Sequence, residues 1–438
     1  MKGESVCAMG EQGREQDRLI FHIDVNSAFL SWESVKRVHE GQEDLRLVPS
    51  AVGGEPGKRT GIILAKSIPA KKYGVTTGEP VSMALRKCPG LILVPPDFRL
   101  YERNSRAFME ICRKYAPVMQ KFSVDECFLD MTGTSLLYPD PIALAHRIKD
   151  EIRDTLGFTV NVGIGSNKLL AKMASDFEKP DKVHTLFLSE VPEKMWPLPV
   201  GDLLFVGKTS TARLMEAGIK TIGELANSEL GRIQAILGEK GGQQAIASAN
   251  GLDDSLVSEE REDAKGYSIS TTLEEDVTTF EQAKHVLLML ADNVAARMRR
   301  DGAKAACVAV DIRLSKLQNI NGNTPSTRFT NKSHQRRLDG PTDVTNEIYE
   351  EAVSLFRELW KGEPLRLLGI ALSDVSREEY EQVTLFPDEK REKARKLDAA
   401  MDQIRGRFGR DAVFRAGSAD MERIGRKFKA QQDEDAEG

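Results

Sequence analysis

The sequence predicts an α+β protein of several domains, and three observations support this fold class. The chain has 438 residues, more than a single hydrophobic core usually accommodates. Short apolar and β-branched runs, typical of strands, alternate with longer amphipathic runs that are typical of helices. The hydrophobic share of 40% and the charged share of 29% are those of an ordinary globular protein.

Composition also narrows the expected location. No apolar run approaches the roughly 18 residues of a membrane-spanning helix, so we expect no membrane segment. Residues 1–17 are polar, lack a signal-peptide core and are predicted to form a flexible tail. The five scattered cysteines never form a CxxC pair, which argues against a disulfide framework or a zinc site. This pattern indicates a reducing, cytoplasmic environment.

The first half of the chain alternates strands and helices. The segment "RLIFHIDV" (18–25) predicts a buried strand, after which Asn26 or Ser27 can cap a helix. "FTVNVGIG" (158–165) predicts another strand, because its β-branched residues alternate, and Ser166 can cap the helix that follows.

Two adjacent acids interrupt the strand-like run "KFSVDECFLDMTG" (121–133). Neighbouring strand residues point to opposite faces, so Asp125 and Glu126 can share one ion only at a strand end or a hairpin turn. A third acid, Asp24, lies at the end of the strand 18–25. Three carboxylates at the ends of neighbouring strands predict a site for Mg²⁺, which prefers oxygen ligands. Two such ions about 4 Å apart can activate an attacking oxygen and stabilise a leaving one.

Other interpretations of these acids stay open from the residues alone. The pair "DE" also marks turns, Asp24 can cap a helix, and the same acids would suit a nuclease or a nucleotide cyclase. The Gly-rich stretch "VGGEPGKRTG" (52–61) is not a Walker A phosphate loop. Val52 and Arg59 stand where that motif needs Gly and Ser or Thr, which favours a plain turn.

The second half of the chain predicts a helical region followed by an α+β region. Residues 202–227 predict short helices separated by glycine turns, and the charged stretch 258–265 predicts a linker. Strand-like segments and two amphipathic helices then precede a charged helical tail. Although the net charge is −5, residues 285–338 contain ten Lys and Arg against three Asp. That density is typical of a phosphate-facing surface.

Four segments, in order and at family-like separations, resemble motifs of the Y-family, the translesion DNA polymerases. They are "HIDVNSAFLSWE" (22–33), "SVDECFLD" (123–130), "GIGSNKLLAKMASDFEKPD" (163–181) and "FVGKTSTARLMEAGIKTIGELA" (205–226). The resemblance runs from about residue 18 to 386. It implies a right-hand polymerase with a mixed-sheet palm, small fingers, a helical thumb containing a helix-hairpin-helix, and an α/β little finger.

The resemblance also implies domain boundaries and an activity. The palm would span residues 18–190, with the fingers inserted at about 38–95. The thumb would span 191–257 and contain the helix-hairpin-helix at 205–226. The linker would follow at 258–265, the little finger at 266–378, and a clamp-binding motif with the charged helical tail at 379–438. The implied activity is template-directed, error-prone synthesis past damaged bases, from dNTPs on primer-template DNA. Two alternatives remain: a UmuC-like subunit that needs partner proteins, and a non-catalytic, clamp-docked DNA-damage protein.

Carried over residue by residue, the resemblance assigns the catalytic metals. Asp24, Asp125 and Glu126 would be the catalytic residues and would hold two Mg²⁺ ions, for which Mn²⁺ can substitute. The carbonyl of Val25 would be a further ligand. These metals would join a primer 3′-hydroxyl to the α-phosphate of the incoming nucleotide.

The resemblance also implies residues that contact the nucleotide. Phe29, beside Ala28, takes the position of the steric gate, whose ring leaves no space for a ribose 2′-hydroxyl. Lys179 takes the position of a lysine that touches the triphosphate. Lys71 and Ile68 replace an arginine and a tyrosine of many members, and a lysine lacks the planar fork of an arginine. We therefore expect a looser or differently arranged grip on the nucleotide.

The motifs resemble two different branches of the family. Asn26 replaces the aspartate that is common in the DinB-like branch, and Ala28 replaces an aromatic residue. The segment "DVN" followed by a small residue, and "AK" (70–71) before the glycine turn "GVTTGEP" (74–80), look UmuC-like. The later segment "NKLLAKMASDFEKPD" (167–181) looks DinB-like.

DNA and clamp contacts complete the expectations. The implied DNA-contacting residues are Gly207, Lys208 and Gly218 in the thumb, and Arg313, Lys316, Arg328 and Lys332 in the little finger. "QVTLF" resembles a peptide that docks on the sliding clamp, the β subunit, with Gln382, Leu385 and Phe386 as its contacts. After it, Leu397, Met401, Ile404 and Phe408 predict one apolar helix face. We expect a monomer.

Overall fold

The computed structural model describes residues 18–55, 61–260, 263–319, 327–377 and 389–415, and only the backbone of 316–319 and 327–328. The described residues form two compact units, 18–260 and 263–415. The division between them falls within the charged stretch 258–265. Each unit combines β-sheet with helices, so the predicted α+β class is confirmed.

The first unit contains a large sheet, a small sheet and a helical region. Its strands are β1 (Ile20–Val25), β2 (Ser50–Gly53), β3 (Ile63–Lys66), β4 (Ile92–Val94), β5 (Val118–Lys121), β6 (Glu126–Asp130), β7 (Val160–Gly165) and β8 (Val183–Leu186). Its helices are α1 (Ala28–His39), α2 (Ile68–Lys72), α3 (Val81–Lys87), α4 (Phe98–Arg113), α5 (Pro141–Leu156), α6 (Lys168–Asp176), α7 (Lys208–Glu216), α8 (Ile222–Ala226), α9 (Leu230–Leu237) and α10 (Glu239–Ala249).

The large sheet has the strand order β5-β6-β1-β7-β8. Its central strands β1 and β7 are buried along their whole length, as their apolar composition predicts. Phe21, Ile23 and Val25 of β1 belong to the main core, which also contains residues of α1, α4 and α5. His22, on the opposite face of the strand, contacts Ser175 of α6. The sheet is therefore covered by helices on both faces.

The small sheet, β3-β2-β4, lies in the segment predicted to be the fingers. β2 pairs antiparallel with β3 and parallel with β4. Ala51, Ile63, Ala70 and Val81 form a separate small core with their neighbours in α2 and α3. In the region predicted to be the thumb, α7 to α10 surround Leu214 and other buried aliphatic residues.

The second unit is a four-stranded antiparallel sheet with helices on one face. Its elements are β9 (Tyr267–Val277), α11 (Phe280–Arg300), β10 (Lys304–Asn319), β11 (Thr327–Thr342), α12 (Thr345–Leu359), β12 (Leu365–Ser376) and α13 (Glu389–Phe408). The strand order is β11-β10-β12-β9. Alternate residues of β10, such as Val308, Val310 and Ile312, pack under α11 and α12.

The predicted caps of two helices were wrong, and each has a physical reason. Ser27 lies in the left-handed region at φ 49° and makes no cap hydrogen bond to α1. The side chain of Asn26 instead pairs with Asn161. Helix α6 is capped by Asn167, which accepts from the Leu170 N–H, and not by Ser166. The amide of Asn167 thus replaces the serine at α6, whereas at α1 the Asn26 amide bonds to a distant residue and no side chain caps the helix.

The charged helix α13 packs against the second unit through ion pairs more than through its apolar face. Met401 is buried, but Leu397, Ile404 and Phe408 are exposed. Asp398 is only 1% exposed and forms ion pairs with Arg299 and Arg415. The helix is therefore a docked part of this unit.

Candidate active site

The hairpin between β5 and β6 brings the three predicted acids to one edge of the large sheet. Asp125 lies in the turn, and Glu126 begins β6 as the antiparallel partner of Asp24. The Val25 N–H donates a hydrogen bond to the Asp125 carbonyl oxygen at 3.0 Å. Because opposed residues of an antiparallel pair share a face, the Asp24 and Glu126 side chains lie on the same side. The backbone thus places the three acids next to one another.

Helix α6 covers this face and supplies the opposite charges. A Cβ atom at Gly163 would lie 1.9 Å from the Ala171 carbonyl oxygen, so glycine permits the close approach of the helix. Lys172 of α6 donates a hydrogen bond to Glu126 Oε2 at 2.8 Å. Lys179, just beyond the helix, donates to Asp24. Sequence reasoning missed Lys172, although it lies two helical turns before Lys179.

Two further side chains that the sequence did not single out support the acids. The Ser123 hydroxyl donates to Asp125 Oδ1 at 2.6 Å. His22 is fully buried, with Nδ1 2.8 Å from Ser175 Oγ. Its Nε2 lies 3.4 Å from Glu126 Oε2 and has no hydrogen-bond partner within the described chain. Ser123, two residues before Asp125, fits a known local turn pattern, whereas nothing local signals His22.

Burial and mutual repulsion set the charge states of the acids. Burial raises the pKa of Asp24 to about 6, against the effect of Lys179, and the charges of Glu126 and Asp125 add to the rise. Burial also raises the pKa of Asp125, although the Ser123 hydrogen bond opposes it. Burial disfavours ionised Glu126 as well, but contacts with His22 and Lys172 outweigh it and hold the pKa at about 2. The three carboxylates are therefore close enough to influence one another.

The carboxylate oxygens at this edge of the sheet suit a cation, but the Asp24 and Glu126 side chains do not converge on one point with Asp125. Within the residues described, no three or more His, Cys, Asp or Glu side chains are arranged to hold a metal ion. Asp24 and Glu126 instead point to the ammonium groups of Lys179 and Lys172. Positive charge thus already meets two of the three carboxylates, as expected where buried acids need a counter-ion.

Phe29, the predicted gate, is held by an aromatic stack. Its ring lies 4.4 Å from that of Tyr101 with an interplanar angle of 10°, and it also contacts Trp32 and Phe98. The Tyr101 hydroxyl donates to Glu33 at 2.8 Å, which fixes the ring below Phe29. Ala28, its neighbour, is buried. Phe29 is therefore partly core-packed and partly exposed, which leaves one side of the ring for other contacts.

Lys71 lies on the exposed surface of α2, next to a second lysine that the sequence analysis missed. The pKa of Lys66 is lowered by burial and by the nearby charge of Lys71. Lys66 Nζ donates to Thr77 Oγ1 at 3.3 Å. Two lysines that repel each other are a favourable place for an anion, because an anion relieves the repulsion.

Comparisons with known proteins agree with this geometry. Profiles of the impB/mucB/samB family and of its C-terminal domain match residues 23–176 and 264–385, and a profile described as the DNA polymerase-iota thumb domain matches 201–253. DNA polymerase IV of Clostridium acetobutylicum is 40% identical over 400 residues, which cover 91% of this chain and 98% of that protein. DNA polymerase IV 1 of Bacillus subtilis is 34% identical, over 93% of this chain and 94% of its own length.

This chain belongs to the Y-family of DNA polymerases. A solved Y-family DNA polymerase chimera has the same fold, with a TM-score of 0.66 and 22% identity over 82% of this chain and 100% of its own. The predicted family and right-hand fold are thus confirmed. The relatives named DNA polymerase IV favour the DinB-like branch over the UmuC-like one.

The thumb of this Y-family chain has the predicted helix-hairpin-helix. Gly207 precedes α7, and no atom lies within 4 Å of the position of a Cβ there. Gly218 follows α7 at φ 84°, a left-handed conformation that favours glycine. Phe205 is also left-handed, at φ 69°, and is 79% exposed. The hairpin that Lys208 adjoins is therefore open to solvent.

The little-finger sheet separates two of the predicted DNA-contacting residues. Arg313 pairs with Asn331 across the open face of the sheet, and its Nε donates to Asn331 Oδ1 at 2.8 Å. Lys332 is the partner of the buried Ile312, so it lies on the face covered by helices, where it pairs with Glu363 at 2.7 Å. This placement follows from the two-residue period of a strand. Lys316 and Arg328 lie on β10 and β11, and their side chains are outside the described part.

Part of the basic stretch is paired with acidic side chains of the same unit. Arg299 donates to Asp402 at 2.7 Å and is 11% exposed, and Arg336 pairs with Glu351 at 2.7 Å. A count of charges therefore overstated the surface available to phosphate. The predicted clamp residues Gln382, Leu385 and Phe386, and the tail 1–17, lie outside the described residues. In the described part of the chain, every helix is too short or too polar to cross a membrane.

Proposed function

We propose that this chain is a template-directed DNA polymerase that carries out error-prone translesion synthesis on primer-template DNA. The observation that carries the proposal is the meeting of Asp24, Asp125 and Glu126 at one sheet edge. It stands in a chain that DNA polymerase IV relatives match over nearly their full length. Y-family membership implies a dependence on divalent metal in general.

We assign two Mg²⁺ ions, or Mn²⁺ in their place, to these three carboxylates and the Val25 carbonyl. All four ligands are oxygen atoms, which Mg²⁺ prefers, and the close carboxylates need a cation to balance their charge. Lys172 and Lys179 lie against Glu126 and Asp24, so these carboxylates would exchange an ammonium group for a cation on binding metal. When bound, the ions activate the primer 3′-hydroxyl and neutralise charge on the phosphates.

The other residues of the site position and hold the reactants. Ser123 orients the Asp125 carboxylate through its hydroxyl. Lys179 and Lys71 bring positive charge to the triphosphate, and the buried stack behind Phe29 keeps its ring in place against the sugar. Catalysis of this kind depends mainly on positioning and charge neutralisation.

We assign DNA contacts to the hairpin of the thumb and to the open face of the little-finger sheet. The exposed glycine turns at Gly207 and Gly218, with Lys208, suit phosphate contacts that ignore sequence. On the little finger, Arg313 lies on the open face of the sheet, and we assign further phosphate contacts to Lys316 on β10 and Arg328 on β11. Lys332 would contact DNA only after its ion pair with Glu363 is broken.

We further propose that the chain works as a monomer and docks on the sliding clamp through residues 382–386. The "QVTLF" peptide supports this proposal by offering two apolar anchors and a polar edge contact.

Primer extension by the purified chain tests the polymerase assignment. Asp125→Ala should abolish incorporation and leave DNA binding intact, because it removes a metal ligand and no DNA contact. Asp130→Ala, at the far end of the same strand β6, is the matched control and should extend primers normally. Extension by Asp125→Ala would refute the metal assignment, and extension that requires added partner proteins would favour the UmuC-like alternative.

A further inference from the structure

Two buried asparagines connect the metal edge to the segment that carries Lys179. Asn26 directly follows β1, and Asn161 on β7 is the cross-strand partner of Asp24. Their exposed fractions are 9% and 0%. Asn26 Nδ2 donates to Asn161 Oδ1 at 3.0 Å, so the two amides form one hydrogen-bonded pair beside Asp24.

The amide pair holds the backbone on both sides of Lys179. Asn161 Nδ2 donates to the Glu178 carbonyl oxygen at 2.7 Å, and its Oδ1 accepts from the Lys182 N–H at 3.3 Å. Asn26 Oδ1 accepts from the Asp181 N–H at 2.9 Å. Three of the hydrogen bonds of the pair therefore end on residues 178–182.

The remaining bonds of the pair fix it to the fold. Asn161 Nδ2 also donates to the Ser175 carbonyl oxygen at 3.0 Å, within α6. The Thr159 hydroxyl donates to Asn26 Oδ1 at 2.9 Å. Both amides thus use their nitrogen as a donor and their oxygen as an acceptor, as buried polar groups must to avoid a loss of stability.

The backbone conformation of Asp181 explains why residues 178–182 need stabilising contacts. Asp181 has φ 61°, in the left-handed region that non-glycine residues seldom adopt. Such conformations persist where several contacts determine them together. Here the contacts are the bond from the Asp181 N–H to Asn26 and the ion pair of its carboxylate with Lys149 at 2.9 Å.

An aspartate could not replace either asparagine in this arrangement. A carboxylate at position 26 would accept from the Asp181 N–H but could not donate to Asn161 Oδ1, and it would add negative charge two residues from Asp24. A carboxylate at position 161 would face two carbonyl oxygens, those of Ser175 and Glu178, without a proton to donate. The network therefore accounts for the asparagine that this chain carries where DinB-like members commonly have aspartate.

We propose that Asn26 and Asn161 are positioning residues that hold Lys179 at the triphosphate by fixing the backbone of residues 178–182. The inference rests on the role of Lys179 proposed above. Neither asparagine touches the nucleotide in this account, because each acts through the lysine.

A double-mutant cycle with Lys179→Ala tests the proposal. The readouts are the KM for dNTP in primer extension and the affinity for dNTP of the chain bound to a dideoxy-terminated primer, where no reaction occurs. Asn161→Asp should weaken both by about tenfold, the loss expected when buried hydrogen bonds are left unmade. In the Lys179→Ala background the same change should add nothing, because the lysine that it displaces is already gone.

Two controls separate positioning from a general loss of structure. Asn250 also donates two hydrogen bonds to carbonyl oxygens, those of Ala226 and Ile246, but it lies in the thumb, so Asn250→Asp should leave nucleotide affinity unchanged. Thr159→Val removes the hydrogen bond from the Thr159 hydroxyl to Asn26 without placing a charge in the core. This variant replaces Asn161→Asp in the experiment if Asn161→Asp fails to fold. It should raise the KM modestly, again only when Lys179 is present.

An equal loss of affinity with and without Lys179 would overturn the proposal. Unchanged nucleotide affinity in Lys179→Ala alone would overturn the role of Lys179 and this inference with it. Neither result would alter the outcome of the Asp125→Ala experiment, which tests the polymerase assignment separately.

Discussion

The docking of α13 on the second unit predicts that Asp398→Ala destabilises that unit. The Asp398 carboxylate is 1% exposed, lies 3.4 Å from Arg299 and forms an ion pair with Arg415. It also accepts from the Thr345 N–H at 2.9 Å, at the start of α12, where the N-cap residue Val344 supplies no side-chain hydrogen bond. One carboxylate thus balances two buried arginines and caps a helix of another segment.

The contacts that remain after Asp398→Ala determine how much stability is lost. Removal of one partner from a buried ion pair typically costs about 3–5 kcal/mol of stability, and loss of an N-cap costs about 1 kcal/mol. Arg299 keeps its bond to Asp402 at 2.7 Å, and Arg415 keeps Asp292 at 3.1 Å, so neither charge is left unpaired. We therefore expect a loss near the lower end, about 3 kcal/mol.

Calorimetry of the full chain, with hydrogen exchange to localise the change, measures this effect. For a unit of this size, 3 kcal/mol lowers the melting temperature by roughly 6–12 °C. Amide exchange should rise in α12 and α13 and stay unchanged in the large sheet of the first unit. Asp402→Ala is the control, because Asp402 is 29% exposed and Arg299 would keep Asp398, so its effect should be less than half as large. A loss below about 1 kcal/mol, or one equal to that of the control, would show that α13 is not an integral part of this unit.

Three further predictions concern the active site and the clamp. Phe29→Ala should admit ribonucleotides, because it removes the ring that Tyr101 supports; sugar selection in single-nucleotide incorporation measures this, and unchanged selection would remove the gate assignment. The Mg²⁺ concentration for half-maximal extension should rise by up to about tenfold for each pH unit below pH 6. The reason is that a proton on Asp24, whose pKa is about 6, competes with the cation for the carboxylate. A Mg²⁺ requirement that does not change with pH would contradict this prediction. Leu385→Ala with Phe386→Ala should lose stimulation by the clamp but keep clamp-free extension, and equal stimulation of both chains would exclude this peptide as the docking site.

Local sequence pattern predicted most of the element order and the acids of the site. The strands around Asp24 and Glu126 were evident from β-branched and apolar runs, because strand and helix periods are encoded within a few residues. The same locality explains the wrong caps at Ser27 and Ser166. Composition identifies residues that are able to cap, but the left-handed backbone at Ser27 and the competing amide of Asn167 at α6 decide the outcome.

The charged residues of the second unit show where local pattern fails. A count of Lys and Arg between 285 and 338 predicted one phosphate-facing surface. The structure instead buries Arg299 against α13 and places Lys332 on the opposite face of the sheet from Arg313. Pairing register and the docking of a distant helix decide these positions, and neither is written in the local composition.

The chemical groups of the candidate site could be predicted from the sequence: three acids at strand ends, Phe29 at the position of the steric gate, Lys179 after α6 and an ordered set of Y-family motifs. How these groups are held depends on contacts between distant segments. Lys172 reaches Glu126, and Asn161 reaches the backbone around Lys179, because α6 packs against the sheet where Gly163 leaves space. Local propensity acts over a few residues, whereas these contacts join segments far apart in the chain, so their partners are fixed by packing and not by periodicity.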